Sequence, residues 1–266
     1  MNRPGNHADM AVEPVPKSRA LNFATIISLG ALLLSWQVAS RFLPEYVLPG
    51  IQLIFQEFLK MGREGTLLWD TLLTLDRILR GLALGFIAGA LLGGLMGTVK
   101  KTEPYVMPII NFIMGVPALS WTLIVILWFS GTETRILVLM LAISFPVFAH
   151  SILDAIKGVS KEWMEMTLVF RPSRAQVLRM LILPAIIPPV LTAWKVTVGF
   201  AVRVVIVAEL VGASTGVGYR MLQQQALFNM SGVLAWTLVL VASGLGMQFL
   251  ISMVESRLLR WRPSTP

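Results

Sequence analysis

The sequence contains no cysteine, and its only histidines are His7 and His150, far apart among 266 residues. Disulfides, thiolate chemistry and cysteine-based metal sites are therefore excluded, and two distant histidines give no support to a histidine metal site. The dipeptide Gly-Lys does not occur, so the chain cannot form a Walker A loop for nucleotide phosphates. We expect neither a resident metal nor a bound cofactor.

Charge is also scarce. Only 14% of the residues are charged and 56% are hydrophobic, whereas soluble domains have roughly 25% charged and about 45–50% apolar residues. A soluble fold of this length could not bury so much apolar surface, and long uncharged runs are present. The composition predicts an all-α, polytopic membrane protein.

The net charge of +8 could suggest a nucleic-acid partner. The basic residues, however, lie at the ends of apolar runs and not in a basic patch interleaved with aromatic residues. We interpret them as charges that set membrane topology, with the lipid bilayer and not a nucleic acid as the partner.

Apolar runs predict six transmembrane helices. The predicted spans are 21–39, 81–99, 105–129, 136–153, 185–208 and 233–254. Residues 1–20 are predicted to be a disordered cytoplasmic tail, 21–262 the transmembrane domain and 263–266 a second tail. Pro108 and Pro117 predict a kink in the third span, and the stretches 51–61 and 69–80 are amphipathic segments before the second span.

Positive charge predicts the orientation. Of the 22 Lys and Arg residues, 13 fall on the side of the N-terminus, 7 on the opposite side and 2 inside the fifth span. Since cytoplasmic segments carry the excess of Lys and Arg, we expect both termini to be cytoplasmic in a bacterial inner membrane.

Five glycines recur at intervals of four along the second span and fall on one stripe of a helix. Such a stripe lets another backbone approach closely, so we predict helix packing at these positions and not ligand binding. The five residues are Gly81, Gly85, Gly89, Gly93 and Gly97.

The longest polar interruption in the second half of the chain, 157–184, lies between the fourth and fifth spans. Its apolar residues have helical spacing on both sides of Arg171-Pro172, and Ser173 can cap the second helix. A helix-turn-helix of this size has no role in contacting lipid, which indicates that it binds a partner.

This interruption resembles the cytoplasmic loop of ABC importer permeases, whose signature is Glu-Ala-Ala, three residues, Gly, nine residues and Ile-x-Leu-Pro. Here Glu165-Met166-Thr167 takes the first triplet, Arg171 the Gly position, and Leu181-Ile182-Leu183-Pro184 the end. Glu, Leu and Pro match in register, but the two Ala and the Gly do not. Further segments between about 45 and 262, including Val116–Trp121 and Ala208-Glu209-Leu210 before the loop Gly212–Tyr219, resemble the branch that transports nitrate, taurine and aliphatic sulfonates.

The resemblance implies a permease subunit without catalytic activity of its own. Its partners would be a second permease copy, two ATP-binding subunits that hydrolyse ATP, and a periplasmic solute-binding protein. By the same resemblance, the residues that couple to the ATPase are Glu165, Phe170, Arg171, Pro172, Ser173, Arg174 and Pro184. Alternatively, Glu165 only pairs with Arg171 or Arg174 on the surface.

Two cations, Lys195 and Arg203, lie inside the fifth span, with Glu209 at its end. Because a cation at the centre of a span costs about 2.5–3.5 kcal/mol on insertion scales, both should face protein or water. One interpretation is that these three residues line the solute pathway and favour an anion. The other is that Arg203 pairs with a carboxylate, for which Glu209 is the nearest candidate, and that Lys195 snorkels.

Other functions are less well supported. A secondary transporter needs coupling-ion residues at the midplane and usually related halves, and a membrane-embedded enzyme needs a cluster of His, Asp or Glu. Neither pattern is found in the sequence. Within the transporter interpretation, a neutral or cationic solute such as a thiamine-precursor pyrimidine is the alternative to an anion.

Overall fold

The computed structural model describes the backbone of residues 19–259, and their side chains except those of residues 19–22, 161, 168 and 174. Within that part every regular element is a helix. The helices, in chain order, are α1 (Arg19–Ala39), α2 (Ile51–Arg63), α3 (Thr66–Thr98), α4 (Glu103–Gly115), α5 (Ala118–Trp128), α6 (Thr132–Lys157), α7 (Lys161–Val169), α8 (Arg174–Val177), α9 (Leu183–Gly212), α10 (Val217–Ala226) and α11 (Met230–Leu258). Most of the predicted tail 1–20 lies outside the described residues.

The chain divides into two compact units, with the boundary after Ile51. In the first unit, the turn that follows α1 folds back onto the helix end. Trp36 Nε1 donates a hydrogen bond of 3.0 Å to Pro49 O, and Gln37 Oε1 accepts one of 3.1 Å from Ile51 N. Two side chains of the last turn of α1 therefore fix the Leu-Pro-Gly turn that the sequence indicates.

In the second unit, α3 is longer than predicted. The sequence separates an amphipathic stretch, 69–80, from a span at 81–99, but the structure joins them in one helix of 33 residues. At 1.5 Å per residue it is about 50 Å long, more than the roughly 30 Å of a bilayer core. No glycine or proline interrupts 69–80, so the helix continues through it, and three of its polar side chains, those of Asp70, Thr74 and Arg77, are buried on one face.

The third predicted span is broken. α4 and α5 meet at an angle of 96° across Val116 and Pro117. Pro117 stands at the N-cap of α5, where it needs no helical hydrogen bond, while α4 passes through Pro108 without ending. The kink expected from the two prolines is therefore located at the second of them.

Four helices in the described part are long and apolar enough to cross a membrane, and the bent pair α4–α5 makes a fifth span if it counts as one. These four are α3, α6, α11 and the continuous helix Ala175–Gly212, which contains α8, one π-helical turn (Leu178–Ile182) and α9. The apolar part of α1, Phe23–Ala39, is shorter. The all-helical membrane class is confirmed, with four or five candidate spans among the described residues, and the number of six spans stays a prediction.

The glycine stripe of α3 lies directly against α6. A Cβ built on Gly89 would lie 2.6 Å from Phe145 O, and one on Gly93 would lie 2.5 Å from Ala149 O. Gly81 faces Met140 in the same way and Gly97 faces Ile156. Because only hydrogen fits at these positions, the two backbones approach closely from one end of the stripe to the other.

This packing predicts that Gly93→Val destabilises the protein, while Gly94→Val does not. A Cβ on Gly93 meets the backbone of α6, whereas one on Gly94 meets nothing within 4 Å. Overpacking costs about 1–3 kcal/mol, so thermal unfolding of the purified protein in detergent should show a lower Tm for Gly93→Val only. The neighbouring variant has the same change in helix propensity, and equal losses would mean that packing against α6 is not the cause.

Candidate functional site

The polar segment between α6 and α9, which we call the handle (residues 158–182), folds as α7, a short turn and a second helix that continues into α9. The turn depends on Arg171, whose φ of 46° lies in the left-handed region. A residue with a Cβ costs about 1–2 kcal/mol there, a cost that glycine avoids. The chain thus makes the sharp turn at the position where the ABC permease signature has glycine, although it carries arginine.

Ser173 caps the helix that follows this turn. Its Oγ accepts a hydrogen bond of 3.3 Å from Gln176 N, and Gln176 Oε1 accepts one of 2.8 Å from Ser173 N. This reciprocal pair is a capping box, which satisfies two amide groups at the start of the helix. Local hydrogen bonds therefore fix the start of the second helix directly after the turn.

The handle exposes apolar side chains to an unusual degree. Phe170 is 84% exposed and Met180 77%, and both line a groove of about 450 Å³ between the two helices of the handle. Glu165 is also exposed, and it has no ion-pair partner among the side chains that the structure describes, which include Arg171 but not Arg174. A groove of this kind at the tip of a membrane protein is suited to receive a side chain or helix of a partner.

At the opposite end of the bundle, polar side chains of three helices meet in what we call the far-end network. It consists of Asp70, Thr74 and Arg77 of α3, Glu133 of α6 and Glu209 of α9. At its centre, Arg77 Nη1 lies 2.7 Å from Glu209 Oε1, with both residues at most 1% exposed. Arg77 Nη2 lies 2.6 Å from Glu133 Oε1. One guanidinium thus connects α3 with α9 and with the first turn of α6.

The loop between α9 and α10 is attached to the same network. Glu209 Oε2 accepts a hydrogen bond of 2.8 Å from Gly218 N, and Asp70 Oδ1 accepts one of 2.8 Å from Gly216 N. Thr74 Oγ1 accepts from Val217 N at 3.0 Å and lies 2.9 Å from Glu209 Oε1. Three successive backbone amides at the start of α10 are therefore held by side chains of α3 and α9.

Sequence reasoning singled out Glu209 but missed its partners in α3. Asp70, Thr74 and Arg77 are separated by four and three residues, so they share one face of a helix whose other residues are largely apolar. That spacing is a detectable sign of a buried polar face. The pairing of this face with Glu209, more than 130 residues away, is visible only in the fold.

The structure separates the three charges of the fifth span. Lys195 forms an ion pair with Glu255 of α11, and Glu209 belongs to the far-end network. Arg203 is exposed and has no ion-pair partner among the described side chains, so the suggested pair of Arg203 with Glu209 is absent. It shares the exposed stripe of α9 with Phe200 and Val196, each about half exposed.

His150 lies on α6 with its Nε2 3.0 Å from Asn111 Oδ1 of α4. The imidazole thus has a polar partner on a neighbouring helix. His150 is therefore a hydrogen-bonded side chain between α4 and α6.

Comparison with known proteins identifies the architecture. Residues 81–260 match the family model described as the binding-protein-dependent transport system inner membrane component. The match begins at the first glycine of the stripe and includes the handle and the exposed stripe of α9.

Curated relatives cover nearly the whole chain. A putative aliphatic sulfonates transport permease protein, SsuC of Bacillus subtilis, is 30% identical over 96% of this chain and 93% of its own. The taurine transport system permease protein TauC of Escherichia coli is 28% identical over 93% and 92%. A formylaminopyrimidine transport permease protein, ThiX of Halalkalibacterium halodurans, is 27% identical over 87% and 92%.

Among solved structures, the chain is similar to one from inward-facing conformations of the MetNI methionine ABC transporter. The TM-score is 0.65 at 18% identity, over 74% of this chain and 98% of the other. At this identity the likeness concerns the fold alone.

The far-end network predicts unequal costs for its charges. Arg77→Met leaves the buried carboxylate of Glu209 with only neutral donors, and breaking a buried pair costs about 3–5 kcal/mol. Glu133→Gln removes a partner that is 47% exposed and should cost about 1 kcal/mol or less. The free energy of unfolding, measured by denaturant titration in detergent, should rank the two in this order.

A third variant separates loss of charge from loss of packing. Arg77→Met combined with Glu209→Gln removes both buried charges and should recover part of the stability that Arg77→Met loses. If Arg77→Met were no less stable than Glu133→Gln, the buried ion pair would not be what holds α9 to α3.

Proposed function

The chain belongs to the family of binding-protein-dependent transport system inner membrane components, in the sulfonate and taurine branch of ABC importer permeases, and we propose that it forms the solute pathway of an importer for a small anion. ATP hydrolysis is assigned to a separate subunit that binds the handle. The observation that carries this proposal is an exposed apolar handle at one end of a membrane bundle together with Arg203, which lies on the exposed stripe of α9 without an ion-pair partner among the described side chains.

The handle supports the first half of the proposal. It presents Phe170 and Met180 at a groove, and Glu165 is exposed on α7 without an ion-pair partner among the described side chains. Apolar anchors beside a free charge are the features that concentrate binding energy in protein interfaces. The partner proposed here is a pair of ATP-binding subunits, each of which receives the handle of one permease copy.

Charge reversal tests this contact. Glu165→Arg should abolish co-purification of the ATP-binding subunit, because an exposed charge that faces a complementary surface becomes repulsive. Glu162→Arg is the matched control, since Glu162 is exposed on the same helix one turn earlier and should leave the complex intact. Normal co-purification with Glu165→Arg, or equal loss with both variants, would contradict docking through Glu165.

The orientation follows from the distribution of charge. The side that carries the handle has 13 Lys and Arg residues against 7 on the other side. Four of those seven, Lys60, Arg77, Arg80 and Arg220, are engaged in ion pairs with carboxylates. The proposal therefore places the handle and both termini in the cytoplasm and the far-end network toward the outside of a bacterial inner membrane.

Arg203 supports the second half of the proposal. A guanidinium exposed on a membrane helix is costly in lipid, so its surroundings must be protein or water. A second copy of the chain, placed against the stripe of α9, would enclose Arg203 in a pathway shared by two subunits. A periplasmic solute-binding protein would deliver the solute, and a sulfonate, taurine or nitrate would be attracted by the cation.

Uptake by the reconstituted importer tests the role of Arg203. Arg203→Gln should lower the uptake of radiolabelled taurine or an alkanesulfonate by about tenfold or more, the effect expected when a charged hydrogen bond to a solute is lost. Lys195→Gln, which removes a cation already paired with Glu255, should reduce uptake much less. Co-purification of the ATP-binding subunit must be unchanged in both variants.

Two outcomes of the same assay contradict the proposal in different ways. If Arg203→Gln left anion uptake unchanged in an assembled complex, Arg203 would have no part in the pathway. If the parent importer took up no anion, a formylaminopyrimidine, named for one relative, would be the alternative cargo, and its uptake should not depend on a cation at this position. Measuring what the cognate binding protein holds distinguishes the two.

A further inference from the structure

We propose that α9 contains a hinge at Pro188-Pro189, about which the handle and the first residues of α9 move as a lever against a rigid frame. The frame consists of α3, α6 and the part of α9 from Trp194 to Gly212. The movement opens and closes a groove between α6 and α9 at the end of the bundle that carries the handle. The inference rests on the proposed function in one respect, that a subunit driven by ATP moves the handle.

The frame is held by close packing and by buried charge. α3 and α6 touch through the glycine stripe from Gly81 to Gly97. α9 joins them in its middle through Trp194, whose ring lies 5.1 Å from that of Phe148 and 5.4 Å from that of Phe86. At its far end α9 is fixed by the pair of Glu209 with Arg77, and Gly212 O accepts a hydrogen bond of 3.1 Å from Thr132 Oγ1.

Burial along α9 changes abruptly just before Trp194. Between Ile182 and Thr192 not one residue is buried, whereas nine are buried from Ala193 to Glu209. In the handle, among the side chains that the structure describes, Leu181 alone is buried, at 9% exposure. A segment with so few buried contacts has little packing energy to hold it in one position.

The backbone is weakest at the same place. Pro184, Pro188 and Pro189 have no N–H, so three hydrogen bonds of a regular helix are missing within six residues. Thr192 Oγ1 donates a hydrogen bond of 3.2 Å to Pro188 O, a contact that often accompanies helix bending. The π-helical turn Leu178–Ile182 precedes these prolines, and the helix therefore has fewer restraints here than in its buried part.

The groove provides the space for the movement. It has a volume of about 640 Å³ and lies between the last turns of α6 and the first turns of α9. Its walls carry small side chains, among them Ser151, Ala155 and Gly158 on one side and Ala185 and Thr192 on the other. The small residues leave room for the helices to approach at these positions, beside the larger Val147, Asp154, Val159, Pro189 and Val196 that also line the groove.

Cysteine pairs test the hinge in a chain that has no natural cysteine. Ala155→Cys with Ala185→Cys places one thiol on each wall of the groove, and Thr132→Cys with Gly212→Cys places two in the frame. Each full-length variant is assembled with its ATP-binding subunit and treated with thiol crosslinkers of increasing length, without nucleotide and with ATP and vanadate. Linked peptides within one subunit are measured by mass spectrometry.

For the groove pair, we expect the yield with the shortest crosslinker to differ by about tenfold between the two states, and a crosslinked groove to stop uptake. The frame pair should crosslink equally in both states and leave uptake unaffected. If neither pair responds, α9 does not move relative to α6. If both respond alike, α9 moves as one rigid helix. Either result overturns the hinge. Absence of ATP-driven uptake in the parent protein would instead overturn the proposed function, and with it the source of the motion.

A proline comparison gives a second measurement. The double variant Pro188→Ala with Pro189→Ala restores two backbone donors in α9. Uptake should fall by about threefold or more while the ATP-binding subunit still co-purifies, because a stiffer α9 lets the handle move less relative to the frame. Pro146→Ala restores a donor inside α6, which belongs to the frame, and should change uptake less. Equal effects of the two variants would contradict a hinge in α9.

Discussion

The carboxylate of Glu209 has no exposed surface, and the far end of the bundle is built from the charge and the hydrogen-bond donors that surround it. A buried charge is tolerated only when an opposite charge and hydrogen-bond donors surround it. Arg77 supplies the charge, and Thr74 and the amide of Gly218 supply donors. These partners belong to α3 and α10, and Glu209 itself belongs to α9. Glu133 of α6 contacts the other edge of the Arg77 guanidinium. The contacts around one carboxylate therefore fix four helices relative to one another.

The two ends of the second unit are held together by different kinds of interaction. The far end has buried ion pairs and backbone amides bound to side chains, whereas the handle end has exposed apolar residues, prolines and an open groove. A transporter subunit that is moved by a partner at one end needs some segments that move and others that stay fixed. Burial along α9 changes at about Trp194, and the proposed hinge rests on that difference.

Local features of the sequence were readable because they depend on neighbours in the chain. The spacing of the glycines in α3 indicated their common face, Ser173 indicated a helix start, and Pro108 with Pro117 indicated a kink that the structure places at Pro117. The family resemblance rested on Glu165, Leu183 and Pro184 in register, and the family match confirms it. The boundary placed between the amphipathic stretch 69–80 and the span 81–99 was wrong, because both belong to α3 and the polar residues Asp70, Thr74 and Arg77 are buried against other helices.

Long-range pairings were not readable in the same way. Glu209 was considered as a partner for Arg203 because the two are close in sequence, but the fold brings it to Arg77, and it brings Lys195 to Glu255. The amino-acid sequence by itself determined the helical membrane class, the family and the position of the handle, since hydrophobic runs and turn residues act locally. Only the tertiary structure decided which charges are buried together and left Arg203 without an ion-pair partner among the described side chains, because pairing depends on which helix faces pack against each other.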